Sequence, residues 1–234
     1  WIAGLEWADS LGAKVVNSSL GYNIWDDGSG YAREDLDGAT ALTSRAAALA
    51  VRRGIVVVVA AGNEAQMAWH YITAPADAEG VIAVGSVDVS VGGVRAPEIA
   101  VSSSRGPTAD GRIKPDVVAP GNGAVVANLR RGDYTRTTGT SFAAPLVSGV
   151  CALLLQMHPE WGPAEVLEAL RSTALDLGEA GPDTVYGWGQ VNALAASGLE
   201  VVPPGEHTLL PPFPNPASNG RVHFPVQLAE RDEV

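Results

Sequence analysis

The sequence is poor in the features that mark several classes of protein. Its single cysteine, Cys151, cannot form an internal disulfide and gives no information on the redox compartment. Lysine and arginine number only 15 against 26 acidic residues, so the net charge is −11. Because nucleic acids and anionic membranes bind basic surfaces, this balance argues against both as partners. No stretch approaches the roughly 18 consecutive apolar residues of a membrane span, so none is predicted.

The sequence contains enough apolar residues to form a large hydrophobic core. Hydrophobic residues make up 46% of the 234 positions and charged residues only 18%, which is typical of a well-packed globular protein. A single core grows to about 250 residues before a chain divides into domains. We therefore expect one large domain and a short additional segment.

Apolar runs alternate with helical patterns along the first 200 residues. A continuous apolar run at 55–61, IVVVVAA, is typical of a strand covered on both faces of a parallel sheet. Crossover units of this kind predict an α/β fold, namely a three-layer, doubly wound, mostly parallel sheet with helices on both faces. The predicted strands are 14–19, 55–61, 81–86 and, more weakly, 124–127, and the predicted helices are 1–11, 40–53, 141–157, one from residue 163 and 191–196.

The motif GTSFAAPLVSG, residues 139–149, precedes the longest predicted helix. Ser141 would lie at the start of this helix, where free amide groups and the helix dipole suit a nucleophile that develops negative charge. Pro145 would be tolerated if it belonged to the first turn. The alternative is that Ser141 is only an N-cap, as serine often is.

The same eleven residues resemble the active-site serine motif of the subtilisin-like serine proteases, or subtilases. The resemblance extends from about residue 13 to about residue 196, in the order found in that family. It implies that Ser141 is the catalytic nucleophile of an endopeptidase that hydrolyses polypeptide substrates. It also implies a subtilisin-like fold.

A second segment, AAGNEA, follows the apolar run at 55–61 and resembles the subtilase segment that carries the oxyanion-binding asparagine. The resemblance implies that Asn63 donates a hydrogen bond to the tetrahedral intermediate. A Gly-Asn pair after a strand is more often only a turn. The carboxyl end of a strand is nevertheless where a doubly wound sheet presents ligand-binding groups.

The aspartate and histidine of the subtilase triad have no counterpart in this sequence. Asp9 lies in a helical pattern with no strand before it, and His70 is the only histidine that precedes Ser141. His70 follows the predicted oxyanion residue, so we do not predict it to be the base. We expect the chain, which opens on Trp1 and not on a methionine, to be an N-terminally truncated domain that is inactive by itself.

Two further segments resemble the substrate-binding edges of subtilases. Ser19, Leu20 and Gly21 would pair with an extended substrate backbone, as in strand addition. Ala60, Ala61 and Gly62 would line the pocket for the side chain just before the scissile bond. Because these lining residues are small, we expect that pocket to take large apolar side chains.

The composition changes after residue 200. Prolines concentrate in residues 201–216, which predicts a linker between a peptidase domain at 1–200 and whatever follows. Residues 217–234 resemble the start of a C-terminal β-sandwich sorting domain of secreted proteins. A disordered tail is the alternative. With the subtilase resemblance, this predicts a secreted, extracellular protein.

No cofactor or metal site is assigned. Structural calcium is frequent among subtilases, but no acidic loop here predicts a site, and the sequence gives no oligomeric state. One alternative function stays open at this point, a catalytically inactive subtilase-fold protein with a binding or structural role. A dinucleotide-binding domain is excluded, because no strand is followed by the glycine fingerprint and a helix.

Overall fold

A computed structural model of the chain describes residues 1–89 and 97–199, together with the strands Thr208–Leu209 and Val226–Gln227. The chain divides into two compact units, Trp1–Ser197 and Gly198–Val234. The first unit holds all of the candidate site residues.

The first unit is built on a five-stranded sheet in which the strands lie in sequence order. The first four are parallel, and the fifth runs antiparallel to the fourth. Every residue of the second strand is buried, as expected for a strand covered on both faces. The strands are β1 (Val15–Ser18), β2 (Val56–Ala60), β3 (Ile82–Asp88), β4 (Val117–Asn128) and β5 (Asp133–Thr138).

Helices cover both faces of the sheet, which confirms the predicted three-layer α/β fold. Alternate residues of β2 enter two separate cores, because successive side chains of a strand point to opposite faces. The helices are α1 (Ile2–Ser10), α2 (Leu42–Arg52), α3 (Thr140–Met157), α4 (Pro163–Ser172) and α5 (Ala193–Ser197), with a 3-10 turn at Arg33–Asp35. Val58 packs in the core of α3, α4 and α5, whereas Val57 packs in the core of α1 and α2.

The antiparallel edge of the sheet differs from the sequence prediction. The weak strand predicted at 124–127 is the distal part of the twelve-residue β4, and β5 was not predicted. Nearly every residue of β5 is exposed, and most are polar. A strand that buries neither face needs no apolar alternation, so its sequence, DYTRTT, lacks the periodicity that predicts a strand, although Tyr and Thr favour strands.

Helix α3 is the central element of the first unit. Of the described residues, only this helix is long and apolar enough to cross a bilayer, with a mean hydropathy of 1.6. It packs against β1, β2, β3 and β4, which are the contacts of a core helix.

A buried ionic cluster ties α4 to the sheet. The Asp116 carboxylate, which is fully buried, accepts hydrogen bonds from the Ala83 N–H (2.6 Å) and from Lys114 Nζ (2.6 Å), and it pairs with Arg171 of α4. Burial lowers the pKa of Lys114, and the Asp116 charge opposes that shift. Since every charge in the cluster has a partner, Asp116 has a structural role.

In the second unit, the two short strands β6 (Thr208–Leu209) and β7 (Val226–Gln227) pair antiparallel. The predicted linker at 201–216 and sorting domain at 217–234 otherwise lie outside the described residues. Both assignments stay predictions.

Candidate active site

Ser141 is the second residue of α3. The N-cap of that helix is Gly139, and the cap has no side-chain hydrogen bond. The alternative that Ser141 serves only as an N-cap is therefore wrong. As the second helical residue, Ser141 has an N–H with no acceptor inside the helix, so this amide is available to a ligand.

Ser141 and Ser19 exchange two hydrogen bonds. Ser141 Oγ donates to the Ser19 carbonyl (3.2 Å), and Ser19 Oγ donates to the Ser141 carbonyl (2.8 Å). The second bond replaces a helical hydrogen bond that Pro145 removes. This proline lies in the second turn of α3, not the first, and it has no N–H to bond the carbonyl four residues before it. Ser19 Oγ satisfies the carbonyl that Pro145 leaves free.

Asn63 lies just beyond β2, and its side chain reaches the first turn of α3. Its Oδ1 accepts a hydrogen bond from the Thr140 N–H (2.9 Å), which is one of the amides that the helix cannot satisfy itself. The oxygen therefore faces the helix, and among the described residues no acceptor is bonded to Nδ2. The carboxamide is thus fixed beside Ser141 with its donor group free.

Thr140 is a site residue that sequence reasoning missed. Its side chain is fully buried, and Oγ1 lies 3.3 Å from the Gly62 nitrogen and 3.2 Å from the Gly62 oxygen. It therefore holds the backbone at Gly62 and Asn63 against the start of α3. The sequence signal that could have indicated this role is the position of Thr140 in the Gly-Thr-Ser motif.

The residues predicted to bind substrate fall into two groups. Leu20 and Gly21 are exposed beyond the edge strand β1, and among the described residues their backbone groups have no hydrogen-bond partner. The side chains of Ala60 and Ala61, in contrast, are buried in the two opposite cores. A lining role of residues 60–62 would therefore fall to their backbone, and it stays a prediction.

Thr73, another residue that the sequence did not indicate, lies between the two substrate segments. A Cβ atom added to Gly21 would lie 2.1 Å from Thr73 Oγ1, and one added to Gly62 would lie 3.0 Å from the same oxygen. Both glycines therefore permit the close approach of the Thr73 side chain.

Among the described residues, no histidine is hydrogen-bonded to Ser141. The ring of His70 bonds the Ala65 carbonyl through Nδ1 (2.8 Å). His158 stacks on Trp161 beyond the C-terminal end of α3, about 25 Å along the helix from Ser141. The two remaining histidines, His207 and His223, lie outside the described residues.

Asp9 also lies away from the site chemistry. It belongs to α1, as predicted, and forms a surface ion pair with Arg53 (2.7 Å). Within the described ranges, no three His, Cys, Asp or Glu residues are grouped closely enough to hold a metal ion. Structural calcium stays an untested expectation of the family resemblance.

Comparison with known sequences gives relatives over most of the chain. The chain is 36% identical to subtilisin E of Bacillus subtilis over 199 residues, which cover 84% of the chain and 44% of that protein. It is 37% identical to the subtilisin of Bacillus pumilus over 199 residues, covering 84% of the chain and 62% of the relative. The chain thus spans less than two thirds of the length of either relative.

Comparison with solved structures also gives subtilisin-related proteases as similar folds. Fervidolysin from Fervidobacterium pennivorans, described as a keratinolytic enzyme related to subtilisin, superposes with a TM-score of 0.61 at 32% identity, covering 85% of this chain and 28% of that one. The prenylagaramide maturation protease PagA superposes with a TM-score of 0.62 at 26% identity, covering 84% and 66%. A profile of the Subtilase family matches residues 1–189. By sequence and by fold, the chain belongs to the subtilase family.

Proposed function

We propose that this chain carries the nucleophile and the oxyanion site of a serine endopeptidase. One observation supports this above the others. The Asn63 carboxamide is anchored through its oxygen on the Thr140 N–H, so its Nδ2 donor is free next to Ser141. This is the relationship that an acyl-transfer site requires between a nucleophile and a donor for the developing charge.

In the proposed reaction, Ser141 Oγ attacks the carbonyl carbon of a peptide bond and forms a tetrahedral intermediate. The carbonyl oxygen then carries the negative charge. Asn63 Nδ2 and the unbonded N–H of Ser141 donate hydrogen bonds to it, and the positive end of the α3 dipole adds a favourable field. Collapse of the intermediate expels the amine, which receives from the base the proton that Ser141 lost, and leaves an acyl group on Ser141. Water then hydrolyses this ester, which releases the acid and restores the serine hydroxyl.

The base is proposed to come from residues outside these 234 positions. In this structure the Ser141 hydroxyl donates to the Ser19 carbonyl, which is too weak a base to remove the proton. A histidine oriented by an aspartate would have to displace that hydrogen bond. The 234 residues alone are therefore expected to be nearly inactive.

The exposed segment of Ser19, Leu20 and Gly21 is proposed to bind the substrate backbone. It continues the edge strand β1, and the backbone of Leu20 and Gly21 is unpaired within the described part of the chain. An extended polypeptide can add to such an edge through main-chain hydrogen bonds, which suits protein substrates of varied sequence. An extracellular location stays a prediction of the family resemblance.

Labelling with a fluorophosphonate probe tests the proposal. The full-length protein should be labelled at Ser141 and should hydrolyse unfolded proteins, and the Ser141→Ala variant should do neither. If the full-length protein is folded but is neither labelled nor active, the alternative of an inactive binding protein holds. Strong labelling of the 234-residue chain alone would contradict an external base.

A further inference from the structure

The space between Gly21 and Gly62 is filled by Thr73. Each glycine lacks a side chain, yet no room is left, because Thr73 Oγ1 would be 2.1 Å from a Cβ on Gly21 and 3.0 Å from one on Gly62. Thr73 itself is only 3% exposed. The Thr73 side chain thus fills the space between the two segments that the sequence predicts to bind substrate.

Thr73 cannot move away easily, because its backbone is fixed on both sides. The Thr73 N–H donates to the Ala61 carbonyl (3.0 Å). The next residue, Ala74, exchanges two hydrogen bonds with Tyr22 (2.8 and 3.1 Å). Hydrogen bonds therefore hold residues 73 and 74 to the segment that contains Gly62 on one side and to the segment that contains Gly21 on the other.

No open cavity lies around the Thr73 hydroxyl. Oγ1 is buried and has no hydrogen-bond partner among the described residues. The volume next to Thr73 is thus closed to solvent.

The two glycines are close to the reacting groups along the chain. Gly21 is two residues from Ser19, which is bonded to Ser141, and Gly62 is adjacent to Asn63. A substrate side chain that enters between these segments belongs to the residue next to the scissile bond.

We propose that Thr73 is the closed floor of the pocket for the side chain preceding the scissile bond, and that it restricts this position to small residues such as alanine, serine and glycine. The inference rests on the proposed peptidase function. The proposal is the reverse of the preference for large apolar side chains that the small residues at 60–62 suggested. The side chains of Ala60 and Ala61 lie in the cores, and Thr73 fills the space between Gly21 and Gly62.

Paired peptide substrates test this in the full-length protein. Two fluorogenic peptides should differ only in having Ala or Phe before the scissile bond. We expect kcat/KM to be at least about tenfold higher for the Ala peptide, since pocket volume discriminates by about 10- to 200-fold per methylene-sized change. Thr73→Gly should reverse the preference by improving the Phe peptide at least about tenfold.

Thr73→Val is the matched control. It keeps the shape of threonine and removes the hydroxyl, so the preference for Ala should persist if volume is what selects. Loss of that preference in Thr73→Val would overturn selection by volume. If Thr73→Gly does not fold, the wild-type ratio alone decides the matter.

Two results separate this inference from the proposed function. Labelling at Ser141 with a preference for Phe, or an unchanged ratio in folded Thr73→Gly, would overturn the role of Thr73 and leave the peptidase proposal standing. Absence of both labelling and cleavage in the folded full-length protein would overturn both.

Discussion

Ser19 and Ser141 are 122 positions apart, and each hydroxyl donates a hydrogen bond to the backbone carbonyl of the other residue. The pair joins the end of the edge strand β1 to the first turn of α3. Pro145 leaves the Ser141 carbonyl without a helical donor, and Ser19 Oγ is the donor that this carbonyl has instead. Pro145 therefore influences how the backbone of Ser141, the proposed nucleophile, is held in place.

This relationship predicts coupling between Ser19 and Pro145. Ser19→Ala should lower the free energy of unfolding by about 1 kcal/mol, because the Ser141 carbonyl loses its donor. In a Pro145→Ala background the restored helical N–H can bond that carbonyl, so the same substitution should cost less. Urea unfolding of the four proteins measures the coupling, which we expect to be about 0.5 kcal/mol or more.

Ser10→Ala is a suitable control for that cycle. Ser10 Oγ also donates to a carbonyl, that of Trp7, but on the exposed surface of α1. Its removal should change stability little and should not couple to Pro145→Ala. Equal costs of Ser19→Ala in both backgrounds would contradict the role given to Pro145.

Asn63 is predicted to have two separable roles. Asn63→Asp retains an oxygen to accept the Thr140 N–H but loses the Nδ2 donor. The kcat of the full-length protein should therefore fall by about 100- to 1000-fold, the range that holds for subtilisin, with stability nearly unchanged. Asn63→Ala loses the acceptor as well, and should also lower the free energy of unfolding by about 1 kcal/mol. Steady-state kinetics and thermal unfolding of both variants distinguish the roles. Full activity in Asn63→Asp would contradict the assignment of the oxyanion donor.

Asp77 should make stability depend on pH in the acid range. It is fully buried, and burial raises its pKa above the ordinary 3.8, although hydrogen bonds from Ser44 and Gly38 oppose the shift. Between 3.8 and the raised value, the folded state holds a proton that the unfolded state has lost. Stability due to Asp77 is therefore present at low pH and is lost as the pH rises through the folded pKa.

The comparison of wild type with Asp77→Asn isolates this contribution, because other carboxylates titrate equally in both proteins. The free energy of unfolding of wild type, relative to the variant, should fall as the pH rises from about 4 and then level off. Chemical unfolding at several pH values gives the difference. A relative stability that rises over the same interval would show that the pKa is lowered.

Cys151 is predicted to be unreactive in the folded protein. It is fully buried in the core of α3, and burial raises the pKa of its thiol to about 12. Because the thiolate is the reactive species, a thiol reagent at pH 8 should label the native protein only as fast as it unfolds. Complete labelling in denaturant is the control, and rapid labelling of the native protein would contradict the burial of this residue.

The sequence indicated those elements whose signal is local. The apolar run at 55–61 became β2 within one residue at each end, and the predicted helix at 141–157 became α3. The motifs at Asn63 and Ser141 were recognised for the same reason, because each is a short, continuous pattern. In the structure, Asn63 is hydrogen-bonded to Thr140, the residue before Ser141, although the two are 77 positions apart in the chain.

Other features had little local signal. β5 is polar and exposed, so it lacks apolar alternation, and the strand preference of its Tyr and Thr residues did not by itself distinguish it from a loop. Thr73 looks ordinary in the sequence, and its importance follows from the meeting of three segments, at residues 21, 62 and 73. The preference that we propose for the pocket differs from the one inferred from the sequence, because the side chains of Ala60 and Ala61 lie in the cores and Thr73 fills the space between the two glycines.

The sequence by itself determined the family, the first three of the four parallel strands and the two residues proposed to act on the peptide bond, since periodicity and short motifs are properties of neighbouring residues. Only the tertiary structure decided that Ser19 holds the Ser141 carbonyl, that Asn63 turns its oxygen toward α3, and that Thr73 closes the gap between two glycines. Those facts depend on which distant segments pack together and on how closely their backbones approach. Hydrogen bonds and excluded volume act across such contacts, and they are set only when the chain has folded.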